Sequence, residues 1–141
     1  MAQAEQDFIR RFAEVWAEPT ADKLTELLHP DVVLYQPHLK VIRGKDAARA
    51  EFERLFRWLP GLHGEVERSA ASDGVVFVEW KMRCPIGNAE VTLRTIDRFL
   101  LQDGLAIERA AFFSQLPLLS YVAGHPATWP GYLRYRLARR R

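Results

Sequence analysis

Three runs of alternating apolar and polar side chains, separated by two tight turns, fill residues 75–115 of the chain. The runs cover residues 75–84, 91–101 and 105–115, and the turns have the sequences PIGN and QDG. A period of two is typical of a strand with one buried face, and connections this short join antiparallel neighbours. The sequence therefore predicts an antiparallel meander, preceded by a more polar strand over residues 65–71.

Before residue 61 the apolar residues recur at helical spacing instead. Aromatic residues between Phe8 and Trp16 predict a first helix that ends before Pro19. Thr20 can cap a shorter second helix that ends at the His29-Pro30 pair. A short strand over residues 31–37 and a third helix over residues 45–59 complete this half. Because a sheet with one apolar face needs a cover, the predicted fold is α+β, with three N-terminal helices wrapped against a curved, mostly antiparallel sheet.

Length and composition indicate one domain of ordinary globular type. The chain has 141 residues, of which 48% are hydrophobic and 27% charged. Cys84 is the single cysteine, which excludes an intrachain disulfide and favours a reducing, cytoplasmic compartment. The N-terminal residues contain early acidic side chains and no apolar run, so we expect neither a signal peptide nor a membrane span.

Two sequence segments resemble the SnoaL-like members of the nuclear-transport-factor-2-like superfamily. They are DVVLYQP followed by RGKDAARAEF, and TIDRFLLQDGLAIERAAFFS. The resemblance covers roughly residues 5–118, and it implies a cone-shaped α+β roll for residues 1–118 with a partly helical, Arg-rich extension over residues 119–141. It also implies a homodimer formed through the sheet. The superfamily includes isomerases, hydrolases, cyclases and binding modules, so the fold alone does not define the activity.

The residue sets of two related enzyme groups are incomplete here. The resemblance to ketosteroid isomerases places Gln36 where those enzymes have a general-base Asp, and Phe12 where they have a Tyr. Asp97 alone matches their second carboxylate. The resemblance to limonene-epoxide hydrolases places Trp80, Met82 and Ser114 at the positions of the catalytic Arg and two Asp residues. Steroid isomerisation by the known mechanism and epoxide hydrolysis by the known triad are therefore not expected.

Asp97 is the candidate catalytic residue. It lies on the apolar side of its strand, where a carboxylate needs a partner or a proton. One hypothesis makes Asp97 a general acid, a general base or a neutral hydrogen-bond donor in an apolar cavity. The other makes it a structural residue that is paired with Arg109 or another inward cation, or bonded to Tyr35. His38 is a second candidate, since an imidazole near the end of the first strand can transfer protons near neutral pH.

The predicted cavity is lined by aromatic and apolar side chains with two polar ones. We expect the ligand to be a small, largely apolar molecule, held by Gln36, Phe12, Trp16, Trp80, Phe56, Met82, Phe99, Phe113 and Ser114. Either Phe112 or Phe113 should face inward, according to whether the last strand carries a bulge. Two functions stay open at this point: acid–base chemistry of the isomerase, cyclase or lyase kind, or binding of a ligand or partner without catalysis.

No other cofactor or partner signal is present in the sequence. The four histidines lack ligand spacing, which predicts no metal site, and no Gly-rich phosphate loop occurs, so no cofactor is expected. Five arginines lie among the last eight residues, and without these residues the net charge is −3. A solvated helix end accounts for them, so we expect no nucleic-acid partner. Contact with an anionic membrane surface or a nucleic acid is the weaker alternative.

Overall fold

The computed structural model describes residues 1–37 and 39–138. Five α-helices, one short 3-10 turn and six strands make up these residues. In chain order they are α1 (Gln3–Ala17), α2 (Ala21–Thr25), β1 (Leu28–Tyr35), β2 (Ile42–Arg43), α3 (Lys45–Trp58), β3 (His63–Ser72), β4 (Val75–Ile86), β5 (Ala89–Gln102), β6 (Leu105–Phe112), α4 (Leu116–Gly124), the 3-10 turn (Pro126–Thr128) and α5 (Trp129–Ala138).

The six strands form one curved, open sheet in the order β2-β1-β6-β5-β4-β3. The strands β3 to β6 are antiparallel neighbours joined by short turns, as the alternation predicts. The strand β1 pairs with β6 in parallel and with β2 in antiparallel fashion. The α+β class and the curved, mostly antiparallel sheet with three N-terminal helices are confirmed.

An aromatic cluster fills the space between α1 and the sheet. Phe12 and Trp16 project from one face of α1, and both rings contact Trp80 of β4, with centroid distances of 5.4 and 4.5 Å. Phe8 packs edge-on against Phe99 of β5 at 4.8 Å. Edge-to-face and tilted aromatic pairs of this kind are favourable beyond the area that they bury. This end of the cone is therefore solid rather than hollow.

Two strand boundaries differ from the sequence prediction by three residues, and the others by no more than two. β1 begins at Leu28 rather than at residue 31, and the helix before it ends at Thr25 rather than at His29-Pro30. A proline can occupy a strand at an irregularity in pairing, and the β1–β6 register shifts between Leu28 and Val33, which is where Pro30 lies. The last strand ends at Phe112 rather than at residue 115, and β2 was not predicted. Thr20 caps α2 as predicted, its hydroxyl accepting the Lys23 backbone N–H at 3.1 Å.

The C-terminal segment folds back onto the N-terminal helices. Leu118 and Val122 of α4 are buried in the core, so the predicted boundary at residue 118 falls within a helix. In α5, Tyr132 and Tyr135 pack against Trp58 of α3, at ring-centroid distances of 5.5 and 4.7 Å. Across the described residues, no helix combines the length and the apolar character that crossing a bilayer demands.

Candidate functional site

A small cavity lies between α3, the inner face of the sheet and the C-terminal helices. Its volume is about 50 Å³, which is room for one or two water molecules at roughly 30 Å³ each. Most of the lining is apolar, with polar groups supplied by a few side chains. The lining residues are Trp16, Gln36, Leu39, Glu51, Phe52, Leu55, Trp58, Leu59, Met82, Cys84, Leu93, Arg109, Phe113, Gln115, Leu118 and Tyr135.

The guanidinium of Arg109 provides the inner polar wall of the cavity. Its Nε donates to Asp97 Oδ2 at 3.0 Å, and its Nη2 lies 3.0 Å from the same oxygen. The side chains are 7% and 0% exposed, so the pair is buried. Arg109 lines the cavity and Asp97 does not. The pairing that the sequence left as an alternative is therefore present in the structure, and it places the cation rather than the acid at the cavity surface.

Burial raises the pKa of Asp97 above its ordinary value, because removing a carboxylate from water disfavours the charged form. The charge and hydrogen bond of Arg109 oppose this effect, and the indole N–H of Trp80 opposes it more weakly. By hydrogen-bond geometry, neither Asp97 Oδ1 nor Trp80 Nε1 has a partner among the described residues.

The raised pKa of Asp97 predicts a specific dependence of stability on pH. The folded protein keeps this proton at pH values where the unfolded chain has released it, so the contribution of Asp97 is complete below pH 3.8 and decreases as the pH rises through the folded pKa. We expect the unfolding free energy of the wild type, relative to Asp97→Asn, to fall over this range. Urea unfolding between about pH 3 and pH 9 measures it. A relative stability that rises with pH would contradict the prediction.

A second buried carboxylate, Glu51 of α3, forms the outer polar wall. Tyr135 donates its hydroxyl to Glu51 Oε1 at 2.5 Å. The other oxygen, Oε2, accepts from Arg54 Nη2 and Nε at 2.8 and 3.3 Å. Glu51 is 3% exposed. A carboxylate that is held on one side by a guanidinium is a fixed hydrogen-bond acceptor on its other side.

Cys84 also lines the cavity, on β4. Burial raises the pKa of this thiol to about 12. Since the thiolate is the reactive form, we expect Cys84 to be inert towards a maleimide at pH 8 in the folded protein and to react once the chain is unfolded in urea. Mass spectrometry of the adduct measures both rates. Rapid modification of the native protein would contradict the expected burial.

Four of the predicted ligand-binding residues line the cavity: Gln36, Trp16, Met82 and Phe113. Phe113 is the inward member of its pair, since Phe112 is 57% exposed on the outer face of the sheet.

The other predicted ligand-binding residues lie elsewhere. Phe12, Trp80 and Phe99 belong to the aromatic cluster and do not reach the cavity. Phe56 lines a separate open groove at the end of α3. Ser114 is exposed, and its hydroxyl accepts the Leu116 backbone N–H at 3.2 Å. His38 lies outside the described residues, although its neighbours Gln36 and Leu39 both line the cavity.

Sequence reasoning did not select Glu51, Trp58 or Tyr135 as site residues. For Glu51 a signal exists: it shares the inward face of α3 with Ala48 and Phe52, which is the same signal that singled out Asp97. Trp58 and Tyr135 carry no such signal, since aromatic residues on helices are common in protein cores. Among residues 1–37 and 39–138, no group of three or more His, Cys, Asp or Glu side chains is arranged to bind a metal ion.

Comparison with known proteins defines the family. Residues 9–109 match the SnoaL-like domain, so this chain belongs to the SnoaL-like family of the nuclear-transport-factor-2-like superfamily. No curated protein matches the sequence significantly.

Solved structures share the fold at low sequence identity. A protein from Jannaschia sp. CCS1, named as a SnoaL-like polyketide cyclase, has 18% identity and a TM-score of 0.72, with 85% of this chain and 94% of that chain covered. An epoxide hydrolase of Mycobacterium tuberculosis resembling the limonene-epoxide enzymes has 19% identity and a TM-score of 0.68, covering 96% and 92%. A ketosteroid-isomerase-like protein from Catenulispora acidiphila, in complex with trimethylamine, has 11% identity and a TM-score of 0.74, covering 81% and 90%.

Proposed function

We propose that this protein binds a small, largely apolar molecule in its cavity, and that Arg109 donates a hydrogen bond to an oxygen acceptor of that molecule. The single observation that carries the proposal is the position of the Arg109 guanidinium. Asp97 engages Nε and Nη2 through a single oxygen, Oδ2, and a guanidinium has five N–H donors, so donors remain for a further acceptor. The guanidinium is then an oriented donor group in a cavity wall that is mainly apolar. Asp97 acts as a positioning residue that fixes the plane of this donor.

The balance of charge favours a ligand with an acceptor and no positive charge. Arg109 is paired with Asp97, and Glu51 is paired with Arg54, so the wall carries two neutralised pairs rather than an uncompensated charge. A hydrogen bond from a guanidinium to a ligand oxygen is stronger in a dry cavity than in water. Carbonyl and carboxylate groups supply such an oxygen.

Native mass spectrometry of the protein with metabolite mixtures tests whether ligands bind and whether they leave unchanged. A direct test of the Arg109 contact uses formamide and formate, two oxygen-bearing probes of three non-hydrogen atoms that suit a space of about 50 Å³, titrated by backbone amide NMR shifts. In the wild type we expect the probes to change the amide chemical shifts of cavity residues. In Arg109→Lys we expect an affinity at least about tenfold lower, because lysine lacks the planar set of N–H donors of a guanidinium. Equal affinities for the wild type and the variant would refute the proposal.

Acid–base catalysis through Asp97 is the second candidate function. The raised pKa of its carboxyl and the unpartnered Oδ1 favour it, whereas its full burial and its absence from the cavity lining oppose it, so this function requires the lining to move and expose Oδ1. In this hypothesis Asp97 transfers a proton in an isomerase-, cyclase- or lyase-type reaction without a cofactor, assisted by His38 and Gln36. A positioned acid or base contributes about 10²–10⁴-fold in rate. An Asp97→Asn variant that turns over a discovered substrate at the wild-type rate would remove this candidate.

We also propose a homodimer that forms through the outer face of the sheet. Exposed apolar side chains lie together there, since Ile96 is directly opposite Phe112 in the β5–β6 register and both are about half exposed, as is Phe77 on β4. The Arg98–Glu108 ion pair on the same face provides charges of both signs, which suits a self-complementary contact between two copies.

Sedimentation velocity at micromolar concentration tests the dimer. We expect a dimer for the wild type and a folded monomer for Ile96→Lys, because a charge in the centre of an apolar contact is not compensated. Leu133→Lys is the matched control: Leu133 is also about half exposed but lies on α5, so the dimer should persist. A wild type that sediments as a monomer only would contradict the proposal.

A further inference from the structure

The C-terminal helix closes the cavity with one of its own aromatic side chains. Tyr135 of α5 lines the cavity, and its ring stacks on Trp58 with a centroid distance of 4.7 Å and an interplanar angle of 20°. Its hydroxyl donates to Glu51 Oε1 at 2.5 Å. An aromatic ring in this position therefore stacks on Trp58, and a hydroxyl group on the ring can donate to Glu51. The rest of its surroundings are mainly apolar.

The elements that hold the ring come from another part of the chain. Trp58 and Glu51 both belong to α3, while Tyr135 follows Glu51 by 84 residues. Arg54 holds Glu51 Oε2 at 2.8 Å, so the acceptor that faces the phenol is oriented by α3 itself. The acceptor and the stacking surface would both stay in place if α5 moved away.

The free volume is too small for a second ring. A cavity of about 150 Å³ holds benzene, whereas the space beside Tyr135 is about 50 Å³. A ligand with a ring therefore needs the place of Tyr135. The helix that would have to move is short, with 10 residues, and it begins beyond residue 109, where the match to the SnoaL-like domain ends.

We infer that Tyr135 occupies the ring subsite of the ligand and that the ligand is a single-ring phenol, which stacks on Trp58 and donates its hydroxyl to Glu51 when α5 leaves. This inference rests on the proposed function, since it concerns the same cavity. It assigns the outer end of the cavity to the ring hydroxyl and leaves the inner end, at Arg109, for an acceptor group of the ligand. The C-terminal helix is then an internal competitor of the ligand.

The probe for this inference is 4-methylphenol, which has the shape of a tyrosine side chain. In the full-length chain we expect Tyr135→Ala to bind 4-methylphenol at least about tenfold more tightly than the wild type, because the competing ring is gone. Toluene, which lacks the hydroxyl, should bind Tyr135→Ala at least about tenfold more weakly than 4-methylphenol, since a hydrogen bond to a carboxylate is lost. Isothermal titration calorimetry measures all three affinities.

Tyr132→Ala is the matched control. Tyr132 lies on the same helix and packs on the same Trp58 ring at 5.5 Å, but it does not line the cavity, so its removal should not raise the affinity for 4-methylphenol. In the wild type, saturating 4-methylphenol should accelerate amide hydrogen exchange over residues 129–138, because the probe displaces α5. If Tyr135→Ala does not fold, Tyr135→Phe serves instead. It keeps the ring but loses the bond to Glu51, and it should bind the probe severalfold more tightly than the wild type.

Three outcomes would overturn the inference: equal affinity of Tyr135→Ala for toluene and 4-methylphenol, an equal gain in Tyr132→Ala, or unchanged exchange over residues 129–138 at saturation. The failure of the inference is distinguishable from the failure of the proposed function. If formamide binds in an Arg109-dependent manner while 4-methylphenol does not displace α5, only the ring subsite is wrong. If neither probe binds, the proposed function is wrong as well.

Discussion

Replacing Arg109 by methionine is expected to lower the unfolding free energy at neutral pH by about 3–5 kcal/mol, a large part of the roughly 5–15 kcal/mol that stabilises a typical domain. The reason is the environment of its partner. Asp97 is 0% exposed, and Arg109 is the cation that contacts its Oδ2, through two nitrogens at 3.0 Å. Without the guanidinium, Asp97 Oδ2 loses its hydrogen-bond donor, and a negative charge on the buried carboxyl group would have no compensating cation. Urea unfolding at pH 7 measures the loss.

Two further variants separate this mechanism from a general effect of losing an arginine. Arg83→Met removes an arginine from β4 of the same sheet, where it bonds Glu65 at 2.9 Å and is 28% exposed. Because solvent screens an ion pair of this kind, the loss should be small. The double variant Asp97→Asn/Arg109→Met should recover part of the stability at pH 7, because its buried amide carries no charge. A loss for Arg109→Met no greater than that for Arg83→Met would show that the buried pair is not stabilising.

The sheet could be predicted from the sequence because its determinants are local. In β4 every second residue from Val76 to Ile86 is apolar, and β5 has the same alternation except at Thr95 and Asp97. Turns with glycine separate the strands, so the predicted bounds of β4 and β5 lie within two residues of the observed ones. The start of β1 could not be predicted, since Pro30 argues against a strand unless the pairing is irregular at that point. That irregularity exists only in the register between β1 and β6, which is a property of two strands that are distant in sequence.

Only part of the candidate site could be predicted from the sequence, for the same reason. The alternation in β5 predicts that Asp97 faces inward, and the structure buries it fully. Which neighbour meets it depends on the pairing of β5 with β6, and this pairing shifts between Leu100 and Leu101. The contact of Glu51 with Tyr135 is still harder to predict from the sequence, because it depends on where α5 packs on α3. Local patterns predict which faces are buried, whereas the partners across a cavity depend on how the elements pack.

Gly64→Ala is expected to destabilise the protein by about 1–3 kcal/mol or more, which is typical when atoms are forced into a filled core. Gly64 lies on β3 opposite Met82. A Cβ atom at this position would come within 2.5 Å of Trp80 Cζ3, 2.6 Å of Trp80 Cε3 and 3.3 Å of the Lys81 carbonyl oxygen. The Trp80 ring has no free space beside it, because it is 1% exposed and its centroid lies 4.5 Å from that of Trp16. A shift of the ring would disturb the whole aromatic cluster.

Gly124→Ala is the matched control for Gly64→Ala, since it adds the same methyl group at the end of α4, where no atom lies within 4 Å of the added Cβ. We expect its unfolding free energy to stay within about 0.5 kcal/mol of the wild type or to rise slightly, because alanine restricts the unfolded chain more than glycine does. Thermal and urea unfolding of both variants measure the contrast. If Gly64→Ala proved as stable as Gly124→Ala, the Trp80 ring would have space to move, and the narrow end of the cone could open for a larger ligand.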